Sequence, residues 1–244
     1  MPLTLATTTP GEPEIFASLQ GEGPSMGKPC TFIRLSRCNL ACEWCDTAYT
    51  WHFEGDNRPH RRDPTYPRAA NQLTLSEEDA ARQIAAFGQD RLIITGGEPL
   101  LQGAALARML GHLPGMIVEI ETNGSVAPHP ALDPLVSQYN VSPKLAHSGN
   151  PADLALNPER LAHWTQEPRA TFKFVIAEPA DVDEVLALQK AHTIPSAKIM
   201  LMAEGTEADV LEQRESWLAE ICIAQKLTLS KRLHIRLFGD TRGT

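Results

Sequence analysis

Short runs of apolar and β-branched residues recur along the chain, separated by helical or irregular segments. About seven of these runs predict strands, at residues 29–36, 91–95, 116–121, 139–142, 171–176, 198–202 and 233–238. Strands that alternate with crossover segments imply a mainly parallel sheet with right-handed connections. Because the convincing helices are fewer than a closed eight-fold barrel needs, the sequence predicts an α/β fold built as an incomplete (β/α) barrel.

The segments between the strands differ in character. Helices are predicted at residues 77–87, 99–113, 181–191 and 207–225, the first of them capped by Ser76. Residues 46–73 show no periodicity and contain several prolines and arginines, which predicts a long loop. No repeat or low-complexity tract divides the chain, so we expect one domain over residues 1–244.

The composition excludes several classes of protein. The net charge of −8, from 22 Lys+Arg and 30 Asp+Glu, argues against a broad nucleic-acid-binding surface. No window approaches about 18 uninterrupted apolar residues, so no membrane span is expected. Residues 1–10 lack the basic start and the apolar run of a secretory signal, and we therefore expect a cytoplasmic protein.

Three of the five cysteines, Cys38, Cys42 and Cys45, fall within eight residues. Thiolates select zinc, copper(I) or iron–sulfur clusters, and a structural zinc site normally takes four protein ligands. Zinc with His52 as a further ligand is one alternative, and three unrelated cysteines are another. Three thiolates at these spacings can instead hold three irons of a [4Fe–4S] cubane and leave the fourth iron open to a substrate or cofactor.

Chemistry in a barrel of this kind is expected at the carboxyl ends of the strands. The cysteines directly follow the strand at 29–36, and a glycine-rich turn at 96–99 follows the strand at 91–95. Arg34 occupies an inward-facing position of the first of these strands, and a buried arginine is rare unless it is paired. Glu121 ends another strand and is interpreted equally well as a structural acid or as a carboxylate that faces the cysteines.

The spacing C-x3-C-x2-C, with Trp44 directly before the last cysteine, resembles that of the radical S-adenosylmethionine (AdoMet) superfamily. The turn Gly96-Gly97-Glu98-Pro99 is similar to the glycine-rich turn of that superfamily. The resemblance implies a [4Fe–4S] cluster that binds AdoMet, one-electron cleavage of the sulfonium C–S bond, and a 5′-deoxyadenosyl radical that abstracts a substrate hydrogen. The AdoMet contacts that it implies are Trp44, Asp46, Gly97, Glu98, Ser142, Pro143, Lys144, Met202, Ala203, Glu204 and Gly205.

Further segments resemble the 7-carboxy-7-deazaguanine synthase family, at residues 14–24, 32–35, 45–47, 142–144 and 234–244. This resemblance implies a carbon–nitrogen lyase that converts 6-carboxy-5,6,7,8-tetrahydropterin into 7-carboxy-7-deazaguanine and ammonia, in 7-deazapurine and queuosine biosynthesis. It also implies Mg²⁺ bound by Thr47, a homodimer, and a flavodoxin- or ferredoxin-type electron donor. The substrate contacts that it implies are Leu19, Gln20, Gly21, Glu22, Arg34, Thr95 and Thr244.

Two other functions are alternatives. A glycyl-radical-enzyme activating protein would share the cluster and AdoMet but act on a protein, and the motif at 20–24 argues against it. A non-enzymatic metal-binding regulator would lack the turn at 96–99 and would usually carry a basic DNA-binding element. The loop at 46–73 is interpreted as a solvated lid or as a docking surface for an acidic electron donor, formed by Arg58, Arg61, Arg62 and Arg68.

Overall fold

The computed structural model describes residues 2–62 and 65–244. Within these residues one sheet contains eleven strands. They are β1 (Leu3–Thr9), β2 (Glu12–Pro13), β3 (Ile15–Leu19), β4 (Pro29–Leu35), β5 (Gln72–Leu75), β6 (Arg91–Gly96), β7 (Ile117–Thr122), β8 (Gln138–Val141), β9 (Ala170–Ile176), β10 (Ile199–Ala203) and β11 (Thr228–Ser230).

Most of the strands are parallel. They lie in the order β4-β6-β7-β8-β9-β10-β11. The strands β1, β2, β3 and β5 add antiparallel pairings around β4 and β1. The order of the described strands is linear from β2 to β11, so the barrel is not closed. The predicted α/β fold, an incomplete (β/α) barrel of mainly parallel strands, is confirmed.

The crossovers contain helices of very different length. The α-helices are α1 (Arg68–Asn71), α2 (Glu77–Ala86), α3 (Gly103–Leu110), α4 (Ala152–Ala155), α5 (Pro158–Gln166), α6 (Pro179–His192), α7 (Ala208–Gln225) and α8 (Leu233–Phe238), and short 3₁₀ helices lie at Ala48–Thr50, Pro99–Gln102, Asp133–Leu135, Ala146–Ser148 and Ser196–Lys198. Helix α2 begins as predicted, because the Ser76 hydroxyl accepts a hydrogen bond from the Asp79 amide at 3.0 Å. Among the described helices, none is both long and apolar enough to cross a membrane.

Side chains along the parallel strands alternate between a hydrophobic core and the barrel interior. Ile33 and Ile94 belong to a core that also contains Leu106 of α3. Their sequence neighbours Arg34 and Thr95 line the interior cavity instead. Because successive strand residues point to opposite faces of a sheet, the same strands build both the core and the candidate site.

The predicted strand at 233–238 is wrong, because Leu233–Phe238 forms helix α8. The sheet position beyond β10 is taken by β11 instead. Ile235 is the buried residue of α8, and a short apolar run fits one buried contact of a helix as well as it fits a strand. The other six predicted strands are confirmed to within one residue at either end.

The irregular segments hold more regular structure than the sequence predicts. The predicted loop at 46–73 ends earlier than expected, because Arg68–Asn71 is helical and Leu73 pairs with Leu5 of β1. Residues 63 and 64 of that loop lie outside the described residues. Helix α5 was not predicted, although Asn157 caps it and accepts a hydrogen bond from the Arg160 amide.

Truncation of a core residue on β6 should destabilise the fold. Ile94 has no exposed surface, so Ile94→Ala removes buried methyl groups and should lower the free energy of unfolding by about 2–5 kcal/mol. Ile223 on α7 is 80% exposed, and Ile223→Ala should change it by less than about 0.5 kcal/mol. Urea denaturation of the two variants beside the wild-type protein measures the difference, and equal costs would contradict the described packing.

Candidate active site

A cavity of about 530 Å³ opens where the parallel strands end. Two predicted site residues, Glu98 and Pro143, do not line it. The structure brings together the others, which are Leu19, Gln20, Gly21, Glu22, Arg34, Cys38, Cys42, Trp44, Cys45, Asp46, Thr47, Thr95, Gly97, Ser142, Lys144, Met202, Ala203, Glu204, Gly205 and Thr244.

The three clustered cysteines lie on an irregular loop that follows β4. Their loop is held from the side, because the Ala41 amide donates to Asn150 Oδ1 at 2.8 Å and the Glu43 amide to the Ser148 carbonyl at 3.0 Å. Burial raises the pKa of Cys38 to about 12 and that of Cys42 to about 11. Both are therefore neutral thiols near pH 7 until a cation binds them.

The arrangement of the thiols suits a cluster better than a single metal ion. Among residues 2–62 and 65–244, no three His, Cys, Asp or Glu side chains converge closely enough to hold one ion. His52 does not line the cavity, and its Nε2 lies 3.0 Å from the carbonyl oxygen of Arg58. A cubane places each thiolate on a different iron, so three thiols can face one cavity without meeting at a point.

The glycine-rich turn packs against the start of the cysteine loop. Gly96 has a φ of +134°, and a Cβ there would overlap the backbone of Leu35. A Cβ at Gly97 would overlap the carbonyl of Arg37, one residue before Cys38. The Gly97 amide donates to the Leu35 carbonyl at 3.0 Å. Both glycines are therefore required by close backbone contact between two strand ends.

The Glu98 carboxylate is hydrogen-bonded within the protein. Its carboxylate is fully buried and accepts hydrogen bonds from the Leu100 amide at 3.0 Å, the Thr122 hydroxyl at 2.8 Å and the Asn123 amide at 2.7 Å. Burial raises the pKa of Glu98, and these donors oppose the shift. The side chain thus joins the end of β6 to the end of β7, and the structure does not bring it to the cavity as the sequence predicts.

A buried lysine bridges two acids inside the barrel. Lys173 Nζ lies 2.5 Å from Glu22 Oε2 and 2.8 Å from Glu121 Oε2. Arg232 pairs with Glu22 at 3.1 Å and also with Asp46. Burial opposes the ionisation of Glu22, but Lys173 and Arg232 outweigh it and hold the pKa of this carboxyl well below its usual range. The candidate site therefore presents Glu22 as a carboxylate throughout the neutral pH range.

Arg34 is oriented from one side only. Its Nε donates to Glu14 at 2.7 Å, and the Tyr49 hydroxyl donates to the same buried carboxylate at 2.9 Å. Arg34 lines the cavity, and no other hydrogen bond is made by its guanidinium within the described part of the chain. Its two terminal nitrogens are therefore available for a planar, two-oxygen anion such as a carboxylate.

The end of β8 brings a second set of polar groups to the cysteines. Lys144 Nζ donates to Ser142 Oγ at 2.8 Å and lies 5.7 Å from the centre of the Trp44 ring. These three residues line the same cavity as Cys42. The set offers a cation, a hydroxyl and an aromatic surface next to the thiols.

Residues 20–24 close the gap that the open sheet leaves. The Gly23 amide donates to Ser230 Oγ of β11 at 3.0 Å, and the Leu233 amide donates to the Gly21 carbonyl at 2.9 Å. A Cβ at Gly21 would overlap the His234 ring. We call this contact between residues 20–24 and 230–234 the seam. Glu22 is part of it.

The loop after the cysteines covers the cavity mouth. Tyr49 and Trp51 are buried, so the first part of this loop is not a solvated lid. Arg62 donates to Thr206 at 2.7 Å and lies 3.5 Å from Asp240. Arg62 thus joins the loop to residues 206 and 240, which also line the cavity, and its guanidinium is engaged within the chain.

Several lining residues were missed by the sequence analysis. Lys173 is the one charged residue in its apolar strand, which is a signal that an inward position of a barrel can explain. His234 lies in the segment 233–238, which was predicted as a strand, and Arg232 directly precedes that segment, so their positions at the cavity could not be inferred. Glu121, which the sequence left undecided, lines the cavity.

Comparison with known proteins agrees with this site. Residues 32–137 match the Radical SAM superfamily. The 7-carboxy-7-deazaguanine synthase of Pyrobaculum aerophilum is 36% identical, over 94% of this chain and 95% of that protein. The enzyme of the same name from Hyperthermus butylicus is 34% identical, over 91% of this chain and 90% of its own length.

Solved structures show the same architecture. The crystal structure of QueE from Escherichia coli matches with a TM-score of 0.63 and 26% identity, over 95% of both chains. SuiB of Streptococcus suis, bound to its precursor peptide SuiA, matches 82% of this chain and 47% of that one with a TM-score of 0.53. Its identity of 12% makes this second likeness one of fold alone. The chain belongs to the 7-carboxy-7-deazaguanine synthase family of the radical SAM superfamily.

Proposed function

We propose that the protein converts 6-carboxy-5,6,7,8-tetrahydropterin into 7-carboxy-7-deazaguanine and ammonia, as a radical AdoMet lyase of 7-deazapurine and queuosine biosynthesis. The observation that carries the proposal is one cavity lined both by three cysteines spaced C-x3-C-x2-C and by the paired charges around Glu22. The names of the relatives support the product, and the substrate rests on the resemblance to their family.

Cys38, Cys42 and Cys45 would hold three irons of a [4Fe–4S] cluster, because all three line one cavity while no three His, Cys, Asp or Glu side chains of the described residues converge on a single ion. When bound, the cluster and AdoMet supply a 5′-deoxyadenosyl radical that takes a hydrogen atom from the substrate. The chain's own residues bind and orient both molecules and keep water away from them.

The AdoMet contacts are proposed around the three clustered cysteines, in the same cavity. Trp44, Lys144 and Ser142 lie beside Cys42, and the backbone of 202–205 lines the adjacent wall. Gly97 contributes backbone alone, because its close contact with Arg37 leaves no room for a side chain. Glu98 takes no part through its carboxylate, which is bonded to the ends of β6 and β7.

The pterin contacts are proposed among the paired charges around Glu22. Gln20 Nε2 donates to Glu121 at 3.1 Å, so its amide is fixed beside the Glu22 carboxylate. A carboxylate and an amide suit the donor and acceptor edge of a 2-amino-4-oxopyrimidine. The free terminal nitrogens of Arg34 suit the substrate carboxylate, and Thr95 and Thr244 line the same cavity.

Other parts of the proposal rest on the resemblance to the family. Mg²⁺ would be bound by the Thr47 hydroxyl together with the substrate carboxylate, since Mg²⁺ takes oxygen ligands and few protein contacts. A homodimer, a flavodoxin- or ferredoxin-type electron donor and a cytoplasmic location are proposed on the same ground. One radical AdoMet domain is proposed for residues 1–244, supported by a core that extends from Leu3 to Ile235.

The decisive experiment is an anaerobic incubation of the reconstituted protein with AdoMet, dithionite, Mg²⁺ and 6-carboxytetrahydropterin. We expect the absorbance of 7-carboxy-7-deazaguanine to appear together with an equal amount of ammonia. AdoMet cleavage without product would favour the glycyl-radical-enzyme activating protein. Reconstitution with one zinc ion and no cleavage would favour the non-enzymatic regulator.

Removal of one cluster ligand should abolish both cofactor and activity. Cys42→Ala leaves two thiols, so the iron and sulfide content, the visible absorbance and turnover should all be lost. Cys222 is a buried cysteine that does not line the cavity, and Cys222→Ala should retain all three properties. An intact cluster in Cys42→Ala would show that Cys42 is not a ligand.

Loss of the proposed magnesium ligand should separate turnover from cluster binding. Thr47→Ala should keep its iron and sulfide but lower turnover roughly tenfold at limiting Mg²⁺, because one oxygen ligand is missing. Thr47→Ser keeps a hydroxyl and should show nearly wild-type turnover across a Mg²⁺ titration. Should Thr47→Ala also lose the cluster, its assignment to Mg²⁺ is wrong.

Removal of the buried lysine should disturb the paired charges around Glu22. Lys173→Met leaves Glu121 without its cation and Glu22 with Arg232 as its partner, which raises the pKa of Glu22 and ends the fixed spacing of the two carboxylates in the proposed pterin site. We expect turnover at low substrate to fall by ~tenfold or more, with the cluster retained. Lys190→Met, an exposed change on α6, is the control, and equal turnover in both variants would contradict this role.

A further inference from the structure

Each clustered cysteine has a neutral side-chain N–H group beside its sulfur. Trp51 Nε1 lies 3.3 Å from Cys45 Sγ, and Asn150 Nδ2 lies 3.3 Å from Cys42 Sγ. Asn123 Nδ2 lies 3.9 Å from Cys38 Sγ, at the outer limit for a hydrogen bond to sulfur. The donors come from three separate segments of the chain, and none of them carries a charge.

The indole of Trp51 is fixed in this orientation by its own loop. Trp51 is 4% exposed and directly follows the 3₁₀ helix Ala48–Thr50. The Arg58 guanidinium lies 4.6 Å from the ring centre, and Arg58 is itself held by Asp56 at 2.9 Å. Buried indole N–H groups usually have an acceptor, and in the described residues the acceptor for Trp51 is Cys45 Sγ.

Asn150 holds the cysteine loop as well as the sulfur. Its Oδ1 accepts from the Ala41 amide at 2.8 Å, while its Nδ2 lies 3.3 Å from Cys42 Sγ and 3.1 Å from Ser148 Oγ. The amide is thus oriented by its oxygen, and the donor cannot turn away without breaking that bond. Two of the three sulfurs therefore have a donor whose direction is fixed by independent contacts.

A hydrogen bond to a cluster thiolate is strongest when the cluster carries the most negative charge. Such a bond therefore stabilises the reduced form more than the oxidised form and raises the reduction potential. We propose that Trp51, together with Asn150, is a positioning residue that makes the cluster easier to reduce. One electron from a low-potential donor, dithionite or a flavodoxin-type protein, changes [4Fe–4S]²⁺ to [4Fe–4S]⁺, and no covalent bond forms or breaks.

This inference rests on the proposed function, because it requires the cluster. The loop after Thr47 would then tune the cluster's reduction potential, a role different from that of a solvated lid or of a docking surface. Trp51 acts through Cys45 in this proposal, so the property to be measured is the midpoint potential of the cluster. That measurement needs neither AdoMet nor the pterin, and a cluster that titrates without supporting turnover would overturn the proposed function alone.

The test is an EPR-monitored redox titration of the anaerobically reconstituted full chain. Trp51→Phe keeps an aromatic ring under Arg58 but removes the N–H. We expect a wild-type iron content and a more negative midpoint potential, so that the ratio of reduced to oxidised cluster at one fixed solution potential falls about three- to tenfold. Trp217→Phe, on α7 away from the cavity lining, should titrate as the wild-type protein does.

A wild-type or more positive potential in Trp51→Phe with full iron content overturns the proposal. If Trp51→Phe binds less iron than the wild-type protein, the same redox titration is made on Asn150→Ala, which lacks the N–H group beside Cys42 Sγ. A more negative potential in that variant supports the proposal, and an unchanged or more positive one overturns it.

Discussion

Pairing of charges inside the barrel is the constraint on which the rest of the structure depends. Lys173 on β9 is buried and would be costly to bury alone. Its partners come from β7, which supplies Glu121, and from residues 20–24, which supply Glu22. The attraction therefore fixes three distant segments against one another. Loss of Lys173 would leave Glu121 without a cation among the described residues, whereas Glu22 would keep Arg232.

The same pairing explains how a polar cavity and an apolar core share the same strands. Several inward positions carry ions that neutralise one another, whereas outward positions carry isoleucine, leucine and phenylalanine. Around the cysteines, hydroxyl, amide and indole groups such as Ser142, Asn150 and Trp51 are added to the charged groups. A soft cluster and a hard, charged substrate can thus occupy one cavity, each among groups of suitable chemistry.

Local patterns predicted most of the fold. The apolar runs at 91–95 and 171–176 could be recognised as strands because each is bounded by turn residues, and Ser76 could be recognised as a cap from its own neighbourhood. Helix α8 could not, since its identity depends on β11 having taken the edge of the sheet. The sequence also predicted Glu98 at the cavity. Its carboxylate is instead held away from the cavity by hydrogen bonds from Thr122 and Asn123, some 25 residues further along the chain.

The seam between residues 20–24 and 230–234 has a consequence for the order of folding. Its two sides are separated by 207 residues at the bond from Gly23 to Ser230, so this contact has nearly the greatest sequence separation that the chain allows. Contacts of that kind close slowly, because a long loop must be ordered before they form. A nascent or partly folded chain can therefore possess most of its strands and still have no pocket for a pterin, and substrate that binds across the seam would hold the two ends of the chain together.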